Sequence, residues 1–250
     1  MPVKITIKHL LRRFGYSIQR VQTSQVIQTS HALRNPFDDM RRFTSFHRPI
    51  VFDVGANTGQ SIKTFCQYLN NPEIHSFEPG EDAFRLLTEN TKGMKDVHIV
   101  NSAMGARQET RTFVENEFSD MSSFFEPDEA AWGSIIRRRP LQLDTVDDYA
   151  ARAGMKHIDI LKSDTQGYDL NVLRGASKML REGRISLVYL ELIFSKMYQG
   201  SPRFDEVYAF LADRGMMLVS FYDMHYQNEL LSWTDALFAN EQVVTRKVLL

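Results

Sequence analysis

The chain of 250 residues has one cysteine, Cys66, and no apolar run that approaches membrane-spanning length. A single thiol excludes an internal disulfide and fits a reducing compartment, so a cytoplasmic location is expected. The missing apolar run excludes a transmembrane helix of ordinary length. The N-terminal stretch lacks a continuous apolar h-region, so no signal peptide is expected. Internal repeats and low-complexity tracts are absent. Seven histidines show no His-Glu-x-x-His pattern, and with one cysteine no zinc ligand set is expected. Hydrophobic content of 43% and charged content of 24% are ordinary for a globular protein.

The net charge of -1 hides an asymmetry. Residues 1–48 hold nine Lys/Arg against Asp38 and Asp39, giving +7, and the remainder carries -8. Ile7, Leu10, Leu11 and Phe14 form a helical stripe flanked by Lys4, Lys8, Arg12 and Arg13. A basic amphipathic helix can make peripheral contact with an anionic membrane or reach an acidic partner. The alternative, a helix docked on the acidic body of the same chain, is preferred because the stripe is only about three turns long. Residues 1–48 are therefore expected to form a basic helical extension, and 49–250 the main domain. No nucleic-acid partner is expected.

What is present is concentrated in PIVFDVGANTGQSIKTFCQYLNNPEIHSFEP, residues 49–79. The β-branched run at 50–54 reads as a buried parallel strand. Gly55 and Gly59 bracket a turn that lets a ligand approach the backbone. Ile62, Phe65, Cys66 and Leu69 repeat at helical spacing, which predicts a buried, structural Cys66. Glu78 follows Gly55 by 23 positions, where a nucleoside-binding fold places a carboxylate to hold ribose hydroxyls.

The turn discriminates between cofactors. A dinucleotide fold wants G-x-G-x-x-G so that a pyrophosphate can sit against glycine backbone and a helix N-terminus. Here Asn57 stands at the second glycine position, and Ser61 and Ile62 supply no third. Asp53 adds a negative charge that repels pyrophosphate and attracts an ammonium group. S-adenosylmethionine carries an amino group and a sulfonium and no phosphate, so its needs match an acidic turn paired with Glu78. An NAD-dependent oxidoreductase and a cofactor-binding scaffold without turnover remain the alternatives.

Alternation of strand and helix continues. Strands are expected at 97–100, 158–161, 186–190, 216–221 and 236–238, with helices marked by Ala83/Leu86/Leu87, Leu170/Leu173/Ala176/Leu180 and Phe204/Val207/Tyr208/Leu211. This pattern predicts an α/β fold with a parallel sheet covered by helices on both faces. Residues 110–114 and 141–143 can pair as an inserted hairpin near 106–144. Between them, 115–139 reads as an irregular polar loop that includes Arg137, Arg138 and Arg139, a lid or substrate surface if ordered.

Open α/β sheets bind ligands beyond the carboxyl ends of their strands. Those ends carry Asp53 and Gly55, Glu78, Asn101 and Ser102, Lys162 and Asp164, Glu191, and Asp223. Lys162 and Asp164 are two apart and face one side of their strand. Five carboxylates are expensive to crowd together without function or partners. Their bland reading is capping and salt bridging.

FDVGANTG, SFEP, IDILKSDTQGYDLNVLRGA and YQGSPRFDEVYAFLADRGMMLVSFYD, the last followed by TDALF, resemble an FkbM-type methyltransferase. The resemblance covers residues 49–240. It implies a Rossmann-like class I methyltransferase fold, with seven strands of which the last is antiparallel. It implies O-methylation of a hydroxyl on a small molecule, a sugar or glycan or a secondary metabolite, with S-adenosyl-L-methionine as cofactor. Carried over, Asp53, Gly55, Asn57 and Gly59 form the methionine-side turn, Glu78 holds ribose, and Asn101 and Ser102 meet the adenine edge. Asp164 is the first candidate for a base that deprotonates the acceptor, Glu191 the second, and Lys162 completes the group. Magnesium held by Asp164, Glu191 and Asp223 is the alternative to a base, though their spacing does not demand it. Ser163 departs from the apolar residue commoner at its position.

Overall fold

The structure is a computed structural model that describes residues 34–44 and 48–248. The basic stripe of Ile7, Leu10, Leu11 and Phe14 lies outside the described residues. The compact unit begins at Arg34. Its first helix, α1 (Pro36–Phe43), is capped by Asn35 Oδ1, which accepts from the Phe37 amide. Met40 of α1 is fully buried among Val51, Ile62 and Leu187. Tyr222 donates to Asp39 Oδ2 at 2.8 Å, and Arg34 lies 2.9 Å from the same oxygen. Residues 34–43 thus pack as part of the body, although the charge pattern groups them with the basic extension.

The chain then runs β1 (Ile50–Val54), α2 (Gln60–Tyr68), β2 (Glu73–Phe77), α3 (Glu81–Asn90), β3 (Val97–Val100), β4 (Ala103–Met104), β5 (Glu109–Asn116), β6 (Ile135–Asp144) and α4 (Val146–Arg152). It continues through β7 (Ile158–Ser163), α5 (Asp169–Gly175), α6 (Ser177–Arg181), β8 (Ile185–Ile193), α7 (Phe204–Ala212), β9 (Met216–Gln227), β10 (Leu230–Asn240) and α8 (Glu241–Val248). Seven strands form one sheet in the order β3-β2-β1-β7-β8-β10-β9. Only β10 runs against the others. The expected seven-stranded sheet with an antiparallel last strand is therefore present.

Adjacent residues in the central strands feed opposite cores, because successive side chains on a strand point to opposite faces. Phe52, Leu161, Val188 and Phe238 belong to one core, and Val51, Ile160, Leu187 and Leu237 to the other. Burial on both faces explains why these strands read as near-continuous apolar runs.

Several expectations change in detail. The inserted hairpin exists but is longer, with β5 and β6 antiparallel and β4 added to make a small three-stranded sheet. Arg137, Arg138 and Arg139 lie on β6 rather than in a loop. The last two strands extend well past 216–221 and 236–238 and meet at Asn228 and Glu229, both at positive φ. That is the backbone of a two-residue hairpin turn whose twist matches its strands. Cys66 is exposed, not buried. Helix α2 puts Ile62 and Phe65 in the core and turns Cys66 one step round toward solvent. No helix among the described residues is long and apolar enough to cross a membrane.

Candidate active site

The turn after β1 is shaped by its neighbour β7. Gly55 sits at φ +77, and a Cβ there would stand 1.9 Å from the Asp164 carbonyl oxygen. The Asp164 amide donates to the Val54 carbonyl at 3.0 Å, so the two chains run in contact past the strand ends. Glycine is demanded here first by protein backbone. The same packing brings Gly55 and Asp164 to one wall of a cavity. Gly59, at φ +92, opens α2.

An open cavity lies beyond the carboxyl ends of β1, β2 and β7. Phe77, Met104 and Phe113 give it an apolar side. Asn57, Glu78, Ser102, Asp120, Asp164 and Gln166 are among its polar lining. Three carboxylates face it, and among the described residues no lysine or arginine lines it. Ser119 Oγ donates to Asn57 Oδ1 at 3.1 Å, closing the segment between β5 and β6 over the turn. This part of the insertion forms a wall of the cavity. Its strand is pinned as well: Arg139 donates to the Pro79 carbonyl at 2.6 Å and, like Arg137, pairs with Glu81 and Glu115. The arginine run is therefore neutralised by its own neighbours.

Glu78 is held by backbone. Its Oε2 accepts from the Asn57 amide at 2.8 Å and its Oε1 from the Gly80 amide at 2.6 Å. Burial pushes its pKa up to about 7, although both amides favour the ionised form. Asn101 is exposed and does not line the cavity; its Nδ2 donates to the Glu78 carbonyl at 2.8 Å. Of the two residues expected at the adenine edge, Ser102 lines the cavity and Asn101 braces Glu78 from outside.

Behind the cavity lies a buried charge cluster. Asp53 is fully buried and does not line the cavity. Lys162 Nζ stands 3.0 Å from Asp53 Oδ1 and 3.7 Å from Asp164 Oδ2. Burial works against the Lys162 charge, but Asp53 and Asp164 outweigh it and hold the ammonium above its ordinary pKa. The attraction for a ligand amine, direct or through water, expected of Asp53 therefore competes with an internal partner. The charge of Asp53 is spent on Lys162.

Asp164 faces the cavity with its side chain 43% exposed. Gln166, at φ +53, holds it: Nε2 donates to Asp164 Oδ1 at 3.1 Å and to Glu191 Oε2 at 3.4 Å. Gln166 Oε1 accepts from the Tyr198 hydroxyl at 2.8 Å. Glu191 does not line the cavity, and burial together with the Asp164 charge raises its pKa well above the carboxylate range. Asp235, the register partner of Glu191, is pushed up to about 6, chiefly by burial, while the Tyr189 hydroxyl donates to it. Raised proton affinity is how the cluster limits the cost of crowded carboxylates.

Of the capping and salt bridging that form the bland reading of the strand-end carboxylates, Asp164 shows the ion pair with Lys162, and the turn after it is bonded by another residue. Asp169, in the first turn of α5, accepts from the Thr165 amide at 3.2 Å and from Ser163 Oγ at 2.6 Å. That bond also accounts for Ser163: a fully buried hydroxyl is satisfied by a buried carboxylate. Asp164, Glu191 and Asp223 do not converge on a cation. Asp223 is exposed, and among the described residues only Glu73, His75 and His98 bring three ligand atoms within 4.8 Å of one another. Asp120, Gln166, Phe113 and Tyr198 were not singled out from the sequence. Asp120 lies in SDMSSF and Gln166 in SDTQG, but nothing in either string says which polar residue faces inward.

The family model of the Methyltransferase FkbM domain matches residues 53–217. The chain is 23% identical over 211 residues to the 2-O-methyltransferase NoeI of Sinorhizobium fredii (strain NBRC 101917 / NGR234), covering 78% of this chain and 81% of that protein. Among solved structures it is similar to an rRNA methylase from Streptococcus thermophilus, with TM-score 0.48, 11% identity, and coverage of 82% of this chain and 93% of that one. It is also similar to precorrin-6y C5,15-methyltransferase from Geobacter metallireducens, with TM-score 0.43, 10% identity, and coverage of 88% and 93%.

Proposed function

The chain belongs to the FkbM methyltransferase family, and on that premise we propose that it transfers a methyl group from S-adenosylmethionine to a hydroxyl oxygen of a small molecule. A sugar or glycan, or a secondary metabolite, is the proposed acceptor class. The observation that carries the cofactor assignment is the charge of the cavity: three carboxylates and, among the described residues, no lysine or arginine. A sulfonium and an ammonium suit that lining, whereas the pyrophosphate of a dinucleotide would meet no counter-charge there. The backbone-held carboxylate of Glu78 keeps lone pairs free to accept from two ribose hydroxyls. Phe77, Met104 and Phe113 supply apolar surface for a purine.

When bound, S-adenosylmethionine supplies an electrophilic methyl group on sulfur. The residues of the chain position the acceptor and take its proton. Asp164 is assigned as the base because it faces the cavity and is held in place by Gln166. Lys162 fixes the turn through Asp53 and sets the field behind Asp164. Glu191 joins Asp164 through the Gln166 amide and serves as its partner in holding a proton.

The deciding experiment uses S-adenosylmethionine labelled in the methyl group. The protein is incubated with a panel of glycans and hydroxylated metabolites, and the product is identified by mass and by the position of the label. Methyl ether formation on a hydroxyl supports the reading. Binding of NAD in place of S-adenosylmethionine by calorimetry, or label found only on nitrogen, overturns it.

A further inference from the structure

At the end of β2 opposite to Glu78, three side chains converge that the methyl-transfer site does not use. Glu73 and His75 are two apart on β2 and therefore project from one face of the sheet. His98 on β3 is the register partner of His75 across a parallel pairing, which carries its ring to the same face. The imidazole centroids lie 4.6 Å apart. Glu73 Oε1 is 3.5 Å from His75 Nε2 and 3.8 Å from His98 Nε2. We propose that Glu73, His75 and His98 form a divalent transition-metal site of the zinc type, with a water in the fourth position, that clips the edge strand β3 to β2.

Three observations support this. First, His75 is buried, 4% exposed, and its Nε2 has no hydrogen-bond partner. Such a nitrogen, 3.5 Å from the Glu73 carboxylate, is placed to share a Lewis acid with it. Second, the other ring nitrogen is already occupied: Nδ1 lies 2.9 Å from the Tyr149 hydroxyl oxygen. With Nδ1 as donor to that oxygen, Nε2 carries the lone pair. An outer partner on the far nitrogen is the usual means of orienting a metal-binding histidine.

Third, the distances approach those of a tetrahedral site. A tetrahedral zinc with bonds of about 2.0–2.1 Å needs ligand atoms roughly 3.3–3.4 Å apart. An octahedral ion at similar bond length needs roughly 3.0 Å. The observed 3.5 and 3.8 Å lie nearer the tetrahedral edge. The two imidazoles are stacked with planes 24° apart, so binding requires the half-exposed His98 ring to turn its Nε2 toward the ion. Arg48 pairs with Glu73 Oε2 at 3.3 Å and with Asp96 at 2.7 Å. It therefore braces the carboxylate from behind and leaves Oε1 to the site. Imidazole and carboxylate ligands of this kind suit zinc over magnesium.

The site lies at the amino end of β2, away from the cavity, and its proposed role is to hold β3 in place. β3 has four residues and forms the sheet edge; a metal bound only by the folded state stabilises it by mass action. The test uses the full chain, stripped with EDTA and titrated with zinc chloride, with bound metal and melting temperature followed together. Wild type is expected to take up zinc and to melt higher with it, while magnesium chloride has no effect. His98→Ala, at a half-exposed position, should fold normally and lose that uptake and the rise in melting. Tyr149→Phe keeps the ring and loses only the outer partner, so its zinc affinity should fall by about 10–100-fold. Equal zinc affinity in wild type and His98→Ala overturns the proposal, since other histidines would then be the ligands. Absence of zinc uptake by wild type at saturating zinc overturns it as well.

Discussion

Asp53 and Lys162 are register partners on adjacent parallel strands, and Lys162 Nζ stands 3.0 Å from Asp53 Oδ1 in the floor beneath the cavity. The pair joins the first strand of the sheet to the strand that delivers Asp164. It holds the two walls of the site together from below.

Breaking this pair on one side leaves a buried charge uncompensated. Lys162→Met is expected to cost about 3–5 kcal/mol of stability. The double variant Asp53→Leu/Lys162→Met should recover most of it, because two apolar groups replace two charges. Urea denaturation of the three proteins checks this. A double variant no more stable than Lys162→Met would show that the pair does more than cancel charge.

Glu78 makes cofactor binding depend on pH. Its folded pKa, about 7, is raised above the ordinary 4.5. Its contribution to the stability of the free protein is therefore complete below about pH 4.5 and is lost as pH rises through 7. Affinity for S-adenosylmethionine should move the opposite way, rising through pH 7 as the carboxylate ionises and can accept from ribose. Glu78→Ala should lose about 1.5–3 kcal/mol of binding and the pH dependence with it. Calorimetry giving the same wild-type affinity on both sides of neutrality would remove Glu78 from the ribose site.

Asp164→Asn keeps shape but cannot take a proton. Turnover with saturating acceptor should fall by about 10²–10⁴-fold while cofactor affinity changes little. Near-normal turnover would assign the proton to another group. Gln166→Leu separates chemistry from positioning. It leaves Asp164 in place and removes the amide that orients it, so kcat should drop by less than in Asp164→Asn and the pH profile should shift.

Gly55→Ala tests the contact between β1 and β7. The added Cβ would lie 1.9 Å from the Asp164 carbonyl oxygen, on a residue at φ +77. Overpacking and left-handed backbone together should cost about 1–3 kcal/mol or more. Because the chain that must move carries Asp164, turnover should fall further than stability alone explains. A variant of normal stability and activity would show that the turn can relax without cost.

The sheet was legible because its central strands are buried on both faces and read as short apolar runs between turn residues, as in 50–54 and 158–163. The length of β9 and β10 was not, since their outer halves mix polar and aromatic residues and turn through Asn228 and Glu229 without a glycine. Cys66 was misread because helical spacing defines a stripe and not its edges. One residue of rotation separates buried Phe65 from exposed Cys66.

The sequence by itself determined the turn, the carboxylate that follows it, the alternation of strand and helix, and the resemblance to the family, because these depend on spacing within short segments of the chain. Only the tertiary structure decided what the strand-end charges do. Asp53 and Lys162 are 109 positions apart, and register alone makes them partners and withdraws Asp53 from the cavity. Asp120 reaches the cavity because the segment after β5 folds back onto Asn57. Glu73, His75 and His98 meet because two parallel strands lie in one register. Electrostatic and coordinating interactions fall off over a few ångströms, and distances of that kind are set by packing between segments that the linear order keeps apart.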